Sequence, residues 1–254
     1  MLRLLMILAL AGVVAGSAGA VMTYTTTQGE EANLAHTYSS TDLIQGKIAT
    51  ELPGDMGWHP ANGDPLDKLP AFTDGIGMRA TGLTGLLNDW GYSSPVKLIQ
   101  YDLGAPMDVS ELRVFSGNNG RDGRVFHTYT WEYSTDNGQT YSFGCYVQSH
   151  PSGTLNNAQN NQWRCVETDL YDTEGPLAVG VTNLRLYFYS VDNTGGQMRD
   201  PYDGVNPFTG TDDGLSAAFC SPLIWEIDVI PEPSSLLALG AGLVGLLPIL
   251  RRRR

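Results

Sequence analysis

Residues 128–134 alternate with a period of two. Tyr129, Trp131 and Tyr133 share one side, while Thr128, Thr130 and Glu132 share the other. Successive side chains of a strand point to opposite faces, so this pattern belongs to a strand with one face in a core. It recurs. Leu184, Leu186 and Phe188 alternate with Arg185, Tyr187 and Tyr189, and Leu223, Trp225, Ile227 and Val229 fall together further on. Residues 98–103, 111–115 and 141–148 are predicted as further strands. Between them lie turn signals such as Asn118-Asn-Gly120, Asp122-Gly123, Asp136-Asn-Gly138 and Thr194-Gly-Gly196, in a chain with 30 glycines. No long amphipathic helical pattern or internal repeat breaks this series; residues 80–89 are expected to hold a short turn of helix. Short strands separated by turns predict an all-β, antiparallel β-sandwich.

The two ends read differently. Met1-Leu-Arg-Leu-Leu gives a positive start, an apolar run reaches Val14, and Ala15-Gly-Ser-Ala-Gly-Ala20 supplies small residues for cleavage. Residues 1–20 therefore read as a secretory signal helix, cut after Ala20. At the other end Pro231-Glu-Pro233 precedes an apolar stretch, Ser234 to Leu250, of 17 residues and then Arg251 to Arg254. That length is the short end of a transmembrane helix, and the arginines hold the C-terminus on the cytoplasmic side. An ordinary tail anchor would look similar. The three-part tail also resembles the PEP-CTERM sorting signal of Gram-negative bacteria, in which an exosortase recognises Pro-Glu-Pro. The resemblance makes residues 231–254 the sorting signal, with Pro231, Glu232 and Pro233 as the motif. It implies exosortase as a partner, a transient inner-membrane intermediate, and a final place at the cell surface or in the extracellular matrix.

Residues 21–230 are enough for one domain with a substantial core. The whole chain carries a formal charge of −12; without Arg3, Glu232 and the four tail arginines, ten basic residues stand against 26 acidic ones, a net −16. Such a surface repels phosphate backbones, which argues against a nucleic-acid partner, and suits a divalent cation or a neutral or cationic ligand. Simple solubility outside the cell is the plainer reading of the same charge. Three cysteines, Cys145, Cys165 and Cys220, would meet an oxidising exterior. A Cys145–Cys165 disulfide would close a loop of about 20 residues and stabilise the fold by about 3 kcal/mol. Cys220 would then be a buried thiol, although an odd count equally allows it to be one of the pair. No Cys-x-x-Cys occurs, so no zinc site is expected.

The order of short motifs carries a second resemblance. Phe72-Thr-Asp-Gly75, Leu98-Ile-Gln-Tyr-Asp-Leu-Gly104, Ser110-Glu-Leu-Arg-Val-Phe-Ser116, Tyr129-Thr-Trp-Glu-Tyr-Ser-Thr-Asp-Asn-Gly138 and Ile224-Trp-Glu-Ile-Asp-Val229 follow one another. The series is similar to the discoidin, or coagulation factor 5/8 C-type, domain and its galactose-binding-like relatives, over residues 71–230. It departs from them in a long insert at 190–221 and before Pro70. The resemblance implies a jelly-roll sandwich, and it implies a structural Ca²⁺ at Asp74 and Glu226, which match the positions of calcium ligands in that fold. Calcium needs six to eight hard oxygens, of which these supply two. Without calcium, Asp74 would cap a turn and Glu226 would be a solvated strand residue.

Ligand loops of this fold gather at one end of the sandwich. Candidates are residues 54–60, 88–92, 117–123 and the insert with Arg199, Tyr202 and Phe208. Sugars are held by aromatic rings against their C–H faces and by planar polar groups on their hydroxyls. Trp58, His59, Trp90, Arg121 and Tyr202 are the predicted contacts, against the plainer reading of each ring as packing and of Arg121 as a solvated turn charge. Catalytic signatures are missing. His36, His59, His127 and His150 show no metal-binding spacing, no Gly-x-Ser-x-Gly or phosphate-binding loop occurs, and Asp212-Asp213-Gly214 reads as a turn. The expectation is an exported, non-enzymatic protein of the envelope or biofilm matrix. It would recognise extracellular polysaccharide or, as the alternative, serve as a structural or adhesive protein with protein partners.

Overall fold

In a computed structural model, residues 22–90, 93–120, 122–156, 163–193 and 195–233 are described. The expected signal helix, the expected transmembrane helix and Arg121 lie outside them. The strands are β1 (Met22–Gly29), β2 (Thr50–Glu51), β3 (Lys97–Gly117), β4 (Thr128–Ser134), β5 (Ser142–Gln148), β6 (Cys165–Asp172), β7 (Ala178–Phe188) and β8 (Ile224–Pro231). All their pairings are antiparallel.

β3 is long because it belongs to both layers. It pairs with β2 at Ile99–Gln100 and with β7 from Lys97 to Val109, then with β8 from Val109 and with β6 from Glu111. The change of sheet falls where the register with β7 slips, between Asp102 and Met107. Gly104 sits in that stretch at φ +82°, a conformation that glycine takes without strain, and its N–H donates to the Asp102 carboxylate at 2.7 Å. The predicted strands 98–103 and 111–115 are thus the two arms of one strand. One layer runs β2–β3–β7–β4–β5 and the other β1–β6–β3–β8.

The core-facing set seen in the sequence packs between the layers, and β4 and β8 are largely buried on both faces. Ile99, Tyr129, Trp131, Leu186 and Phe188 of the first layer share one core with Leu112, Val114, Leu170, Ile227 and Val229 of the second. Each such side chain removed from water contributes about 1.5–3 kcal/mol. The result is the expected antiparallel β-sandwich.

Residues 80–89 do not form a turn of helix. Leu86 bridges to Leu223 and Leu87 to Trp58, so the segment is extended where the two layers meet it. Gly85, at φ +66°, lies so close to β8 that an added Cβ would stand 1.6 Å from the Ile224 carbonyl oxygen. Nor is there a Cys145–Cys165 disulfide: both are free thiols. Cys165 is buried at the start of β6 in the second layer with Leu34, Phe115 and Trp225. Cys145 lies half-buried on β5, the far edge of the first layer. Cys220 is buried, as expected.

Candidate functional site

The outer face of the first layer carries a cleft of about 310 Å³ lined by Thr130, Glu132, Phe143, Tyr187, Tyr189 and Phe208. Its floor follows from the strand period: residues that alternate with the core set on β4 and β7 must point outward. Its wall comes from the insert. Asn206, fully buried, donates from its amide to Asp200 at 2.6 Å and to the Tyr146 hydroxyl at 3.2 Å, which ties the insert to β5. The Asn206 carbonyl oxygen accepts the Phe208 N–H at 2.8 Å and so turns that ring onto the sheet.

Three rings then lie nearly parallel. Phe208 is 4.9 Å from Tyr146 and 5.7 Å from Phe143, each at 8° between planes, and Tyr202 meets Phe208 edge-on at 6.0 Å. Phe143 and Phe208 remain 53% and 40% exposed. Beside them the Tyr187 hydroxyl donates to Glu132 Oε2 at 3.0 Å. Burial pushes the Tyr187 phenol up to about 12, helped by that carboxylate, so the hydroxyl keeps its proton and donates. The cleft offers apolar ring surface next to a fixed carboxylate and phenol.

Most of the predicted contacts sit elsewhere. Trp58, His59 and Trp90 lie on two loops, 54–60 and 86–90, joined by the Trp58–Leu87 bridge into what is here the loop end, with Asp89 beside His59. There Arg124 binds both Asp89 oxygens, at 2.7 and 2.8 Å, and donates to the Ser221 carbonyl at 2.8 Å. Burial works against the Asp89 charge, but Arg124 and the Ser221 N–H more than offset it and hold the carboxyl below its usual range. His59 Nε2 stands 3.6 Å from the same carboxylate. The Trp58 indole donates to Glu51 at 2.9 Å, packs on Phe72, and lies under the ammonium of Lys97 at 4.1 Å. Lys97 itself is fully buried, 2.8 Å from both Glu51 and Asp55. Trp90 is half-exposed, with its carbonyl taken by the Ser190 hydroxyl. Among the described residues, Tyr202 is the one predicted contact that packs against the cleft, edge-on to Phe208. The sequence alternation places Glu132, Tyr187 and Tyr189 on an outward face, but no local pattern marks Phe143 or Tyr146 as part of a site.

The expected calcium ligands lie at a third place. Asp74 accepts the Ile76 N–H at 2.8 Å and pairs with the Arg79 guanidinium. Glu226 is fully buried; its Oε2 accepts the Gly75 N–H at 2.8 Å and its Oε1 has no donor. Burial, then the neighbouring Asp228, push the Glu226 carboxyl up to about 9, and burial lifts Asp228 to about 7. The side-chain oxygen of Gln45, which also lacks a donor, lies against Gly75. Among the described residues no group of three His, Cys, Asp or Glu side chains is arranged to hold a metal. The unpartnered oxygens of Glu226 and Gln45 are hard donors of the kind calcium takes, whereas Asp74 is already occupied by Arg79.

The Pro-Glu-Pro motif begins inside the last strand. Pro231 is buried and opposite Val109, the Glu232 N–H donates to the Asp108 carbonyl at 2.9 Å, and Pro233 is exposed. Among the described residues no helix is long and apolar enough to cross a membrane.

Comparison with curated proteins yields no match. Among solved structures, the chain is similar to chitosan-binding module 1 of a chitosanase/glucanase from Paenibacillus sp. IK-5. The identity is 14% and the TM-score 0.36, over 74% of this chain and 98% of that one. It is also similar to CpGH89CBM32-4 of Clostridium perfringens, at 13% identity and a TM-score of 0.35, over 75% and 98%. Residues 229–254 match the family model described as the PEP-CTERM protein-sorting motif, so the chain carries a sorting signal for export that starts in its final strand.

Proposed function

We propose that this exported domain binds carbohydrate in the cleft between β4, β5, β7 and the insert. The carrying observation is the pair of open rings, Phe143 and Phe208, beside Glu132 and Tyr187. A sugar presents an apolar C–H face and a rim of hydroxyls, and an aromatic surface flanked by a carboxylate and a phenol answers both. Exosortase processing would place the domain at the surface or in the matrix of a Gram-negative cell, where the producer's own extracellular polysaccharide is the nearest ligand. Binding without chemistry fits the lining, which holds one carboxylate where glycoside hydrolysis uses two. The buried histidine His127 lies between Ser116 and Thr168, and burial pushes it down to about 3; fully enclosed, it reaches no substrate. Calcium would be held at Glu226 and Gln45, with backbone carbonyls completing its shell; it would neutralise buried carboxylate and firm that corner.

Affinity electrophoresis through gels containing the producer's extracellular polysaccharide tests the reading. The protein should be retarded, and a Phe143→Ala/Phe208→Ala variant should run free. Equal mobility with and without polysaccharide, together with concentration-dependent assembly in light scattering, would favour an adhesive protein instead.

A further inference from the structure

The cleft does not end at its rings. Directly opposed residues of an antiparallel sheet project on the same face. Phe143 is opposite Glu132, Glu132 opposite Arg185, Arg185 opposite Gln100, and Gln100 opposite Thr50. These five positions form one straight row across the whole first layer, and none is fully buried. At about 4.8 Å between strands the row is about 19 Å long.

Its polar half is built as firmly as its aromatic half. The Arg185 guanidinium lies 3.5 Å from the centre of the Tyr141 ring, and its Nε donates to Gln100 Oε1 at 2.9 Å. The Tyr141 hydroxyl donates to the same oxygen at 2.8 Å. A stacked, doubly anchored arginine is pre-organised, so it loses little freedom when a ligand hydroxyl binds. A charged anchor for a partner's acid is the competing reading, but Glu132 sits next to Arg185 in the row and balances it.

We infer that the row is an open-ended track for an internal stretch of a linear, uncharged polysaccharide, which crosses the strands from Phe143 and Phe208 to Gln100. This rests on the carbohydrate reading above and adds that the ligand is a chain several sugars long, bound along its length and not by its tip. A site for a chain end would be closed on one side; here the row is exposed at both Phe143 and Thr50.

The test is calorimetric titration of the mature secreted protein with size-fractionated fragments of the producer's neutral extracellular polysaccharide. Affinity should climb from disaccharide towards hexasaccharide and then level off, and chemical blocking of both fragment ends should leave it unchanged. Tyr141→Ala should weaken the long fragments about tenfold and leave the disaccharide unaffected, while Tyr141→Phe keeps most of the gain. Phe208→Ala should weaken every length. Equal affinity at all lengths, or dependence on an unblocked end, overturns the track while sparing the sugar reading. No heat at any length overturns both.

Discussion

The cleft and the loop end are built from the same residue types, yet their side chains are left in opposite states. At the loop end the charged groups and Trp58 have partners, while the Trp90 ring stays half-exposed: Arg124 grips Asp89 with two nitrogens, Lys97 caps the Trp58 ring, and the indole N–H is taken by Glu51. In the cleft Phe143 and Phe208 stack on one side and keep apolar surface open on the other. Aromatic and basic residues in loops therefore mark a ligand site only where the fold has not already consumed their interactions. Ion pairs close the loop end and make it part of the scaffold.

That contrast breaks first at Arg124. Arg124→Ala leaves Asp89 partly buried without its cation and removes a bond to Ser221, which should cost about 2–4 kcal/mol in denaturant unfolding. The folded fraction should still be retarded by polysaccharide; a protein of unchanged stability that no longer binds would move the site to the loop end. Phe208→Ala should do the reverse, lowering affinity about tenfold in titration while the melting temperature shifts by only a few degrees.

The carboxylate corner adds a pH test. Glu226 and Asp228 have folded pKa values raised to about 9 and about 7, so the fold favours their protonated forms. Their contribution is fully present below the ordinary carboxylate range and is lost as pH rises through about 7 and then about 9. In chelator, melting temperature should fall over that window; Glu226→Gln should flatten the upper part, and calcium should restore most of the loss. A flat profile, or a calcium effect that survives Glu226→Gln, contradicts this placement of the ion. The smallest effect is expected at Trp90. Its half-exposed ring should cost less than about 0.5 kcal/mol when cut to alanine, with polysaccharide retardation unchanged; lost retardation would again favour the loop end.

Much of the sandwich was legible because burial imposes a period of two. Residues 128–134 were read with the bounds of β4, and the turn at 136–138 was visible in Asp-Asn-Gly. There Asn137 and Gly138 take positive φ, and hydrogen bonds from Thr140 and Ser134 hold the Asp136 carboxyl down at about 2. β1 and β6 carry no clear period in the sequence, because threonines fill the first, Met22-Thr-Tyr-Thr-Thr-Thr, and acids interrupt the second, Cys165-Val-Glu-Thr-Asp. The site was less legible. Phe208 and Phe143 lie 65 positions apart and meet only because Asn206 ties an irregular insert to β5. No local pattern announces such a contact. Trp58 looked like a platform because sequence shows its ring but not the Lys97 ammonium set over it.

Hydrogen–deuterium exchange with and without the producer's polysaccharide compares the two regions in one measurement. The account predicts slowed exchange at residues 142–148 and 206–210, with residues 54–60 and 86–90 unchanged. Protection confined to 54–60 and 86–90, or none in either region, would contradict it.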